Sequence, residues 1–149
     1  MLRGWLAYLR ASAVSKLVGL TDEQIRWQPT PTSNSLGALV MHLGYGQRFW
    51  LRAIFAGEPM DLSWTEDRYA ATFLVPDGWS VRDVISFYEA ETTAVDAVLD
   101  AAGSLDSPSA AEMRPTTLRW ILNHLVEEIA RHLGHIDITR ELIDGQTGR

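Results

Sequence analysis

The chain has no cysteine. That excludes disulfides, thiolate metal sites and a cysteine nucleophile at once, so any metal must be held by His, Asp or Glu. It has one lysine, Lys16, and its arginines are scattered along a chain of formal charge -6. No concentrated basic face can be built from them, which argues against nucleic acid as a partner. No apolar run reaches the length of a membrane span, and the amino terminus lacks a signal-peptide pattern. The expectation is a protein with no membrane partner, placed in the cytoplasm. There is also no segment with strand periodicity, no internal repeat and no low-complexity tract.

What remains is helical. With 149 residues, 46% of them hydrophobic and 21% charged, the chain reads as a single domain over residues 1–149 with a core of its own. A first helix is expected from Met1 to Val18, with Trp5, Leu6, Leu9, Ala13, Leu17 and Leu20 on its apolar face. Thr21 and Gln24 stand in capping-box spacing at a short helical turn, and Pro29 and Pro31 break the helix beyond that turn. Ser33 or Ser35 caps a second helix that runs to Ala56 and ends at Gly57 and Pro59. Ser80, with Asp83 three residues on, opens a third helix to Ala102. After the polar linker Gly103–Pro115, the fourth and longest helix spans Thr117 to Asp144 and stops at Gly145. The sum is an all-α protein, a four-helix bundle with one long connection, Glu58 to Trp79, between the second and third helices. Connections of that length are often functional. This one carries Trp64, Tyr69, Phe73 and Trp79 and is expected to pack down over the bundle end.

The fourth helix holds the informative anomaly. Leu118, Ile121, Leu122, Leu125, Ile129, Ile136 and Ile143 form a stripe at three- and four-residue spacing. At roughly 100° per residue, His132 falls inside that stripe and Glu128 on its edge. The two are stacked one turn apart, whereas Glu127 points to solvent, where Arg131 is its natural ion-pair partner. A carboxylate set into an apolar surface needs a partner. On the second helix His42 lies at the edge of the stripe formed by Leu36, Leu39, Val40, Leu43, Trp50 and Ile54, in line with the small residues Gly46 and Ala53. Those small residues leave room for a ligand, or mark close helix packing at Gly46. Two imidazoles and one carboxylate suit zinc or another divalent first-row metal with a coordination position left open. From the residues alone, a hydrogen-bonded buried Glu–His pair serving structure is the stronger reading, because a Glu-x-x-x-His pair in a helix arises often by chance. A set shifted by one turn to include His124 is a further alternative. His135 is either a donor behind the site or a partly exposed helix residue.

The stretches GLTDEQ, LGALVMHLGYGQRFW and LRWILNHLVEEIARHLGHIDITRELIDG resemble the DinB-like superfamily of metal-binding four-helix bundles, over nearly the whole chain. Many members hold a metal with one histidine in the second helix and two in the fourth. The first of that fourth-helix pair is Glu128 here, which is similar to the variant found in the amino-terminal domain of mycothiol-dependent maleylpyruvate isomerase. The resemblance implies His42, Glu128 and His132 as ligands of a divalent metal, zinc foremost, with nickel or another first-row ion as alternatives. It also implies an enzyme that moves a low-molecular-weight thiol, of the mycothiol or bacillithiol type, onto an electrophile, the thiol and the electrophile being its small-molecule partners. The nucleophile would then arrive with the cosubstrate, which fits a chain without cysteine. The isomerase carries a further carboxy-terminal domain, so isomerisation itself is not expected. Homodimers are common among such bundles, with Trp120 and Leu133 as candidate contacts. Two other functions use the same residues: a non-catalytic small-molecule-binding or stress-response module with a buried Glu–His pair, and a metal-dependent hydrolase.

Overall fold

In the computed structural model, which describes residues 1–63 and 65–148, the helices begin where polar side chains can take up their free backbone N–H groups. Helix α1 spans Leu2–Ser15, followed by a 3₁₀ turn at Gln24–Arg26. That turn is closed by reciprocal capping: Thr21 N–H donates to Gln24 Oε1 (2.9 Å), and Gln24 N–H to Thr21 Oγ1 (3.2 Å). Ser35, not Ser33, caps α2 (Leu36–Gln47), its hydroxyl accepting from Ala38 N–H. Helix α4 (Val81–Ala101) starts on a full capping box between Ser80 and Asp83. Helix α5 (Leu118–Asp144) starts on Thr117 and ends at Gly145, whose φ of 77° is the left-handed conformation that glycine adopts freely. Among the described residues there is no strand, only an isolated antiparallel bridge between Pro108 and Thr117.

Four long helices pack as a bundle. α1 lies against α5, and α2 lies against both α4 and α5. α2 is the innermost: all of it is buried except Tyr45 and Gly46. Close approach of α2 to α4 occurs at Gly44, where an added Cβ would stand 2.6 Å from the Phe87 ring, while a Cβ at Gly46 would meet nothing. Packing at Gly46 is therefore not what its small size serves; Gly46 faces an open cleft.

Three features depart from the expected layout. The second helix does not stay α-helical to Ala56. Past Gln47 it continues as a π-helical segment, Arg48–Phe55, with Ala56 N–H bonded to Leu51 O. Second, the long connection contains a short helix, α3 (Glu66–Ala71), opened by Thr65. The connection does pack down: Phe73 and Trp79 rest on the core, and Arg26 donates to the carbonyls of Val75, Pro76 and Trp79. Trp64 lies outside the described residues. Third, the buried line of α1 runs through Leu6, Arg10 and Ala13, which leaves Trp5 55% exposed instead of on the core face. Arg10 is tolerated inside because its Nη1 pairs with Asp96 at 2.7 Å. Leu133 likewise belongs to the core and cannot serve an interface, whereas Trp120 is half exposed.

α1 is tied to α5 by polar groups. Arg140 is buried, donates to the carbonyls of Lys16 and Val18 at the end of α1, and forks onto Asp144. No helix among the described residues is long and apolar enough to cross a membrane.

Candidate metal centre

The stripe of α5 faces α2, and that brings the three singled-out residues together. The ligand atoms of His42, Glu128 and His132 all lie within 4.8 Å of one another. His42 is almost fully buried on α2, and the two α5 residues are partly covered. His132 Nε2 is 3.1 Å and His42 Nε2 is 3.4 Å from the same oxygen, Glu128 Oε1.

The other side of His42 decides what its ring presents. Its Nδ1 lies 2.7 Å from Thr72 Oγ1. The Thr72 hydroxyl has one proton, which it donates to Tyr69 O at 2.7 Å. Its oxygen is thus an acceptor toward His42, so Nδ1 carries the hydrogen and the neutral ring turns a bare Nε2 lone pair toward the carboxylate. Phe73 stacks flat on the ring of His42, 3.9 Å between centroids and 9° between planes, and Tyr69 meets it edge-on at 5.6 Å.

Burial lowers the pKa of both imidazoles below the ordinary histidine value; the second imidazole adds to this at His42, and Glu128 opposes it at both. Burial would raise the Glu128 carboxyl, but the combined pull of His132 and His42 holds it below the usual value. Near neutral pH the centre is then two neutral rings beside one anion. At His132, Nδ1 is buried without a hydrogen-bond partner. The His42 Nε2 lone pair and the Glu128 carboxylate converge, and His132 Nε2, hydrogen-bonded to the same oxygen, could join them around a divalent cation with a coordination position left open.

His42 and Glu128 line a cleft of about 590 Å³, and His132 stands behind its lining. Tyr45 and Gly46 of α2, Phe49 and Trp50 of the π-helical segment, Tyr69 and Thr72 of the connection, and Leu125 and Ile129 of α5 form its walls. The wider turn of a π-helix rotates the chain less per residue, and the consecutive residues Arg48, Phe49 and Trp50 all reach the cleft.

The remaining histidines stand apart. His124 lines the cleft but is stacked on Trp120 and set edge-on to Trp50, outside the convergent set. His135 is exposed, its ring 6.0 Å from His132. The group found behind His42 is Thr72, which the sequence did not single out; nothing in its local pattern distinguishes it from other loop threonines. Arg131 and Glu127 form a long, exposed pair of 4.0 Å, of a kind that contributes little.

The fold is that of several solved structures. It is similar to a conserved protein from Enterococcus faecalis (TM-score 0.72, 17% identity, covering 97% of this chain and 96% of that one). It is also similar to a DinB-like protein from Bacillus cereus (TM-score 0.70, 21% identity, 95% and 89% covered). A third likeness is to a variant of mycothiol-dependent maleylpyruvate isomerase (TM-score 0.67, 9% identity), covering 91% of this chain but 60% of that one. No functionally curated protein matches the sequence. A family model described as mycothiol-S-transferase matches residues 1–145. With that match over nearly its whole length and a DinB-like helical fold, the chain belongs to the mycothiol-S-transferase family.

Proposed function

We propose that this protein, acting as a single domain over residues 1–149, transfers a low-molecular-weight thiol of the mycothiol type to an electrophilic carbon at a divalent metal held by His42, Glu128 and His132. The observation that carries the reading is the bare Nε2 of His42 set 3.4 Å from the Glu128 carboxylate. Two acceptors facing one another with no proton between them are repulsive, and a cation between them removes the repulsion. A divalent ion there supplies Lewis acidity, which favours the ionised form of a thiol near neutral pH.

The chain's own residues do the rest. Thr72 and Phe73 fix the ring of His42. Glu128 offsets part of the ion's charge, leaving a milder centre than three neutral imidazoles give. Phe49, Trp50 and Tyr69 provide flat apolar walls that hold an acceptor and displace water from it. In the transfer a carbon–sulfur bond forms, the acceptor's leaving group departs with its bonding electrons, and the thiol proton passes to solvent. Zinc is the first candidate ion, and nickel or another first-row metal suits the same donors.

The decisive experiment is elemental analysis of protein purified without a histidine tag, with His42→Ala and Glu128→Ala alongside. We expect roughly one divalent ion per chain in the parent and much less in both variants. Equal metal in all three, or none after reconstitution, removes the metal centre. The aromatic cleft would then favour a second reading, a non-catalytic module that binds a small apolar molecule beside a buried Glu–His pair.

A further inference from the structure

Three arginines line the cleft. Two are already neutralised: Arg48 pairs with the buried Glu91 and Arg68 with Asp61. Arg114 is different. Among the described residues no carboxylate stands within ion-pair distance of it. Its guanidinium instead lies over the rings of Trp50 and Phe49, 5.4 and 5.8 Å from their centroids.

The backbone beneath it is braced. Arg114 N–H donates to Ala111 O (3.1 Å), and Ser109 Oγ donates to Arg114 O (2.9 Å). The same turn is bonded to the end of the π-helical segment, Ala110 N–H to Phe55 O (3.0 Å) and Ala111 N–H to Ile54 O (3.1 Å). An arginine whose flat face rests on aromatic rings keeps its in-plane N–H donors available, in a fork that matches a carboxylate.

The charge around it points the same way. With Arg48 and Arg68 paired, the unpaired charges lining the cleft among the described residues are Arg114 and Glu128, and a divalent ion beside Glu128 would make the cleft net positive in a chain of formal charge -6. Such local focusing draws anions.

We propose that Arg114 is the counter-charge for a carboxylate carried by the acceptor, so that the cleft selects carboxylate-bearing electrophiles over their neutral analogues. The chemistry rests on the thiol transfer proposed above; the charge selection does not.

Two measurements separate them. The first is calorimetric titration of the metal-stripped protein, without thiol, with nitrobenzoate and with nitrobenzamide. Stripping removes any carboxylate coordination by metal. We expect the anion to bind about tenfold more tightly, as for a charge-assisted hydrogen-bonded pair at a partly screened site. Arg114→Met, at an exposed position, should erase the preference, and Arg114→Lys should restore part of it. The second is transfer from mycothiol to chlorodinitrobenzoate and to chlorodinitrobenzamide on the metal-loaded protein. There the carbon–sulfur bond replaces carbon–chlorine, chloride leaves with the bonding pair, and the thiol proton goes to solvent. We expect Arg114→Met to raise KM for the benzoate several-fold with kcat nearly unchanged. Equal binding of the two probes, or a preference that survives Arg114→Met, overturns the assignment. Preferential binding of the benzoate with no turnover of either acceptor upholds Arg114 and removes thiol transfer instead. Equal turnover of both acceptors by parent and Arg114→Met does the reverse.

Discussion

Thr72 touches neither the carboxylate nor the second imidazole, yet it sets which nitrogen of His42 faces them. Replacing it with valine keeps the shape and removes the acceptor, so both tautomers of His42 become accessible. We predict that Thr72→Val weakens divalent-metal binding by about 10- to 100-fold, the usual cost of losing a group that orients a ligand, while Thr72→Ser keeps most of the affinity. Competition with a chromophoric chelator would measure it; equal affinity in the valine variant would mean the hydroxyl orients nothing. The contrast between Thr72 and the residues it supports shows what was legible. His42, Glu128 and His132 stand out because each interrupts an apolar stripe whose period is visible in the sequence. Thr72 lies in a segment without a period, and only the folded chain brings it from a distant loop to the ring. Leu133 and Trp5 were misplaced for a related reason. A stripe read at a fixed angle per residue blurs at its margins, and the buried Arg10 shifts the inner face of α1 away from Trp5.

At the scale of elements, the helix starts were the most readable feature, because a cap is a local exchange between one side chain and the next turn. Thr21 and Ser80 cap as their spacing implies, and Ser35 is one of the two serines expected to cap the second helix. The π-helical segment was not readable, since its residues would serve an α-helix equally well. Nor was α3, whose six residues are too few to display a period. The π-helical segment brings Arg48 and Arg52 together on Glu91, a carboxylate of α4 that is 5% exposed. Burial pushes the Glu91 carboxyl up, but the two guanidiniums outweigh it and its pKa lies below the ordinary value. A carboxyl that titrates lower in the folded than in the unfolded state stabilises fully above its unfolded pKa, and that contribution is lost as pH falls through the folded one. We predict that Glu91→Gln costs about 1–3 kcal/mol at neutral pH, in the range for removing one charge from a covered pair whose partners stay partly solvated. The gap should close on acidification below the ordinary carboxylate range. Urea unfolding of parent and variant across pH would test this; a gap independent of pH would assign the loss to packing alone.

For the molecule as a whole, the bundle does one thing for the centre: it holds α2 and α5 face to face, so that a histidine of one meets a glutamate and a histidine of the other. That part of the design is rigid, since α2 is buried almost throughout. The fourth wall of the cleft is of another kind. It is the connection after Ala56, in which α3 has no buried residue, and it reaches the centre through Thr72 and Phe73. The segment that covers the cleft is therefore also the one that orients His42. Two events coupled through one contact must favour each other equally. If a metal binds better when Thr72 holds the ring, the same metal must hold Thr72, and with it the covering segment, more often in place. We predict that amide hydrogens of residues 66–73 exchange more slowly in metal-loaded than in metal-free protein, and that Thr72→Val abolishes the difference; identical exchange in both states would uncouple the two. The ion would then act as a latch as well as a Lewis acid, setting how long the entrance stays shut between one acceptor and the next.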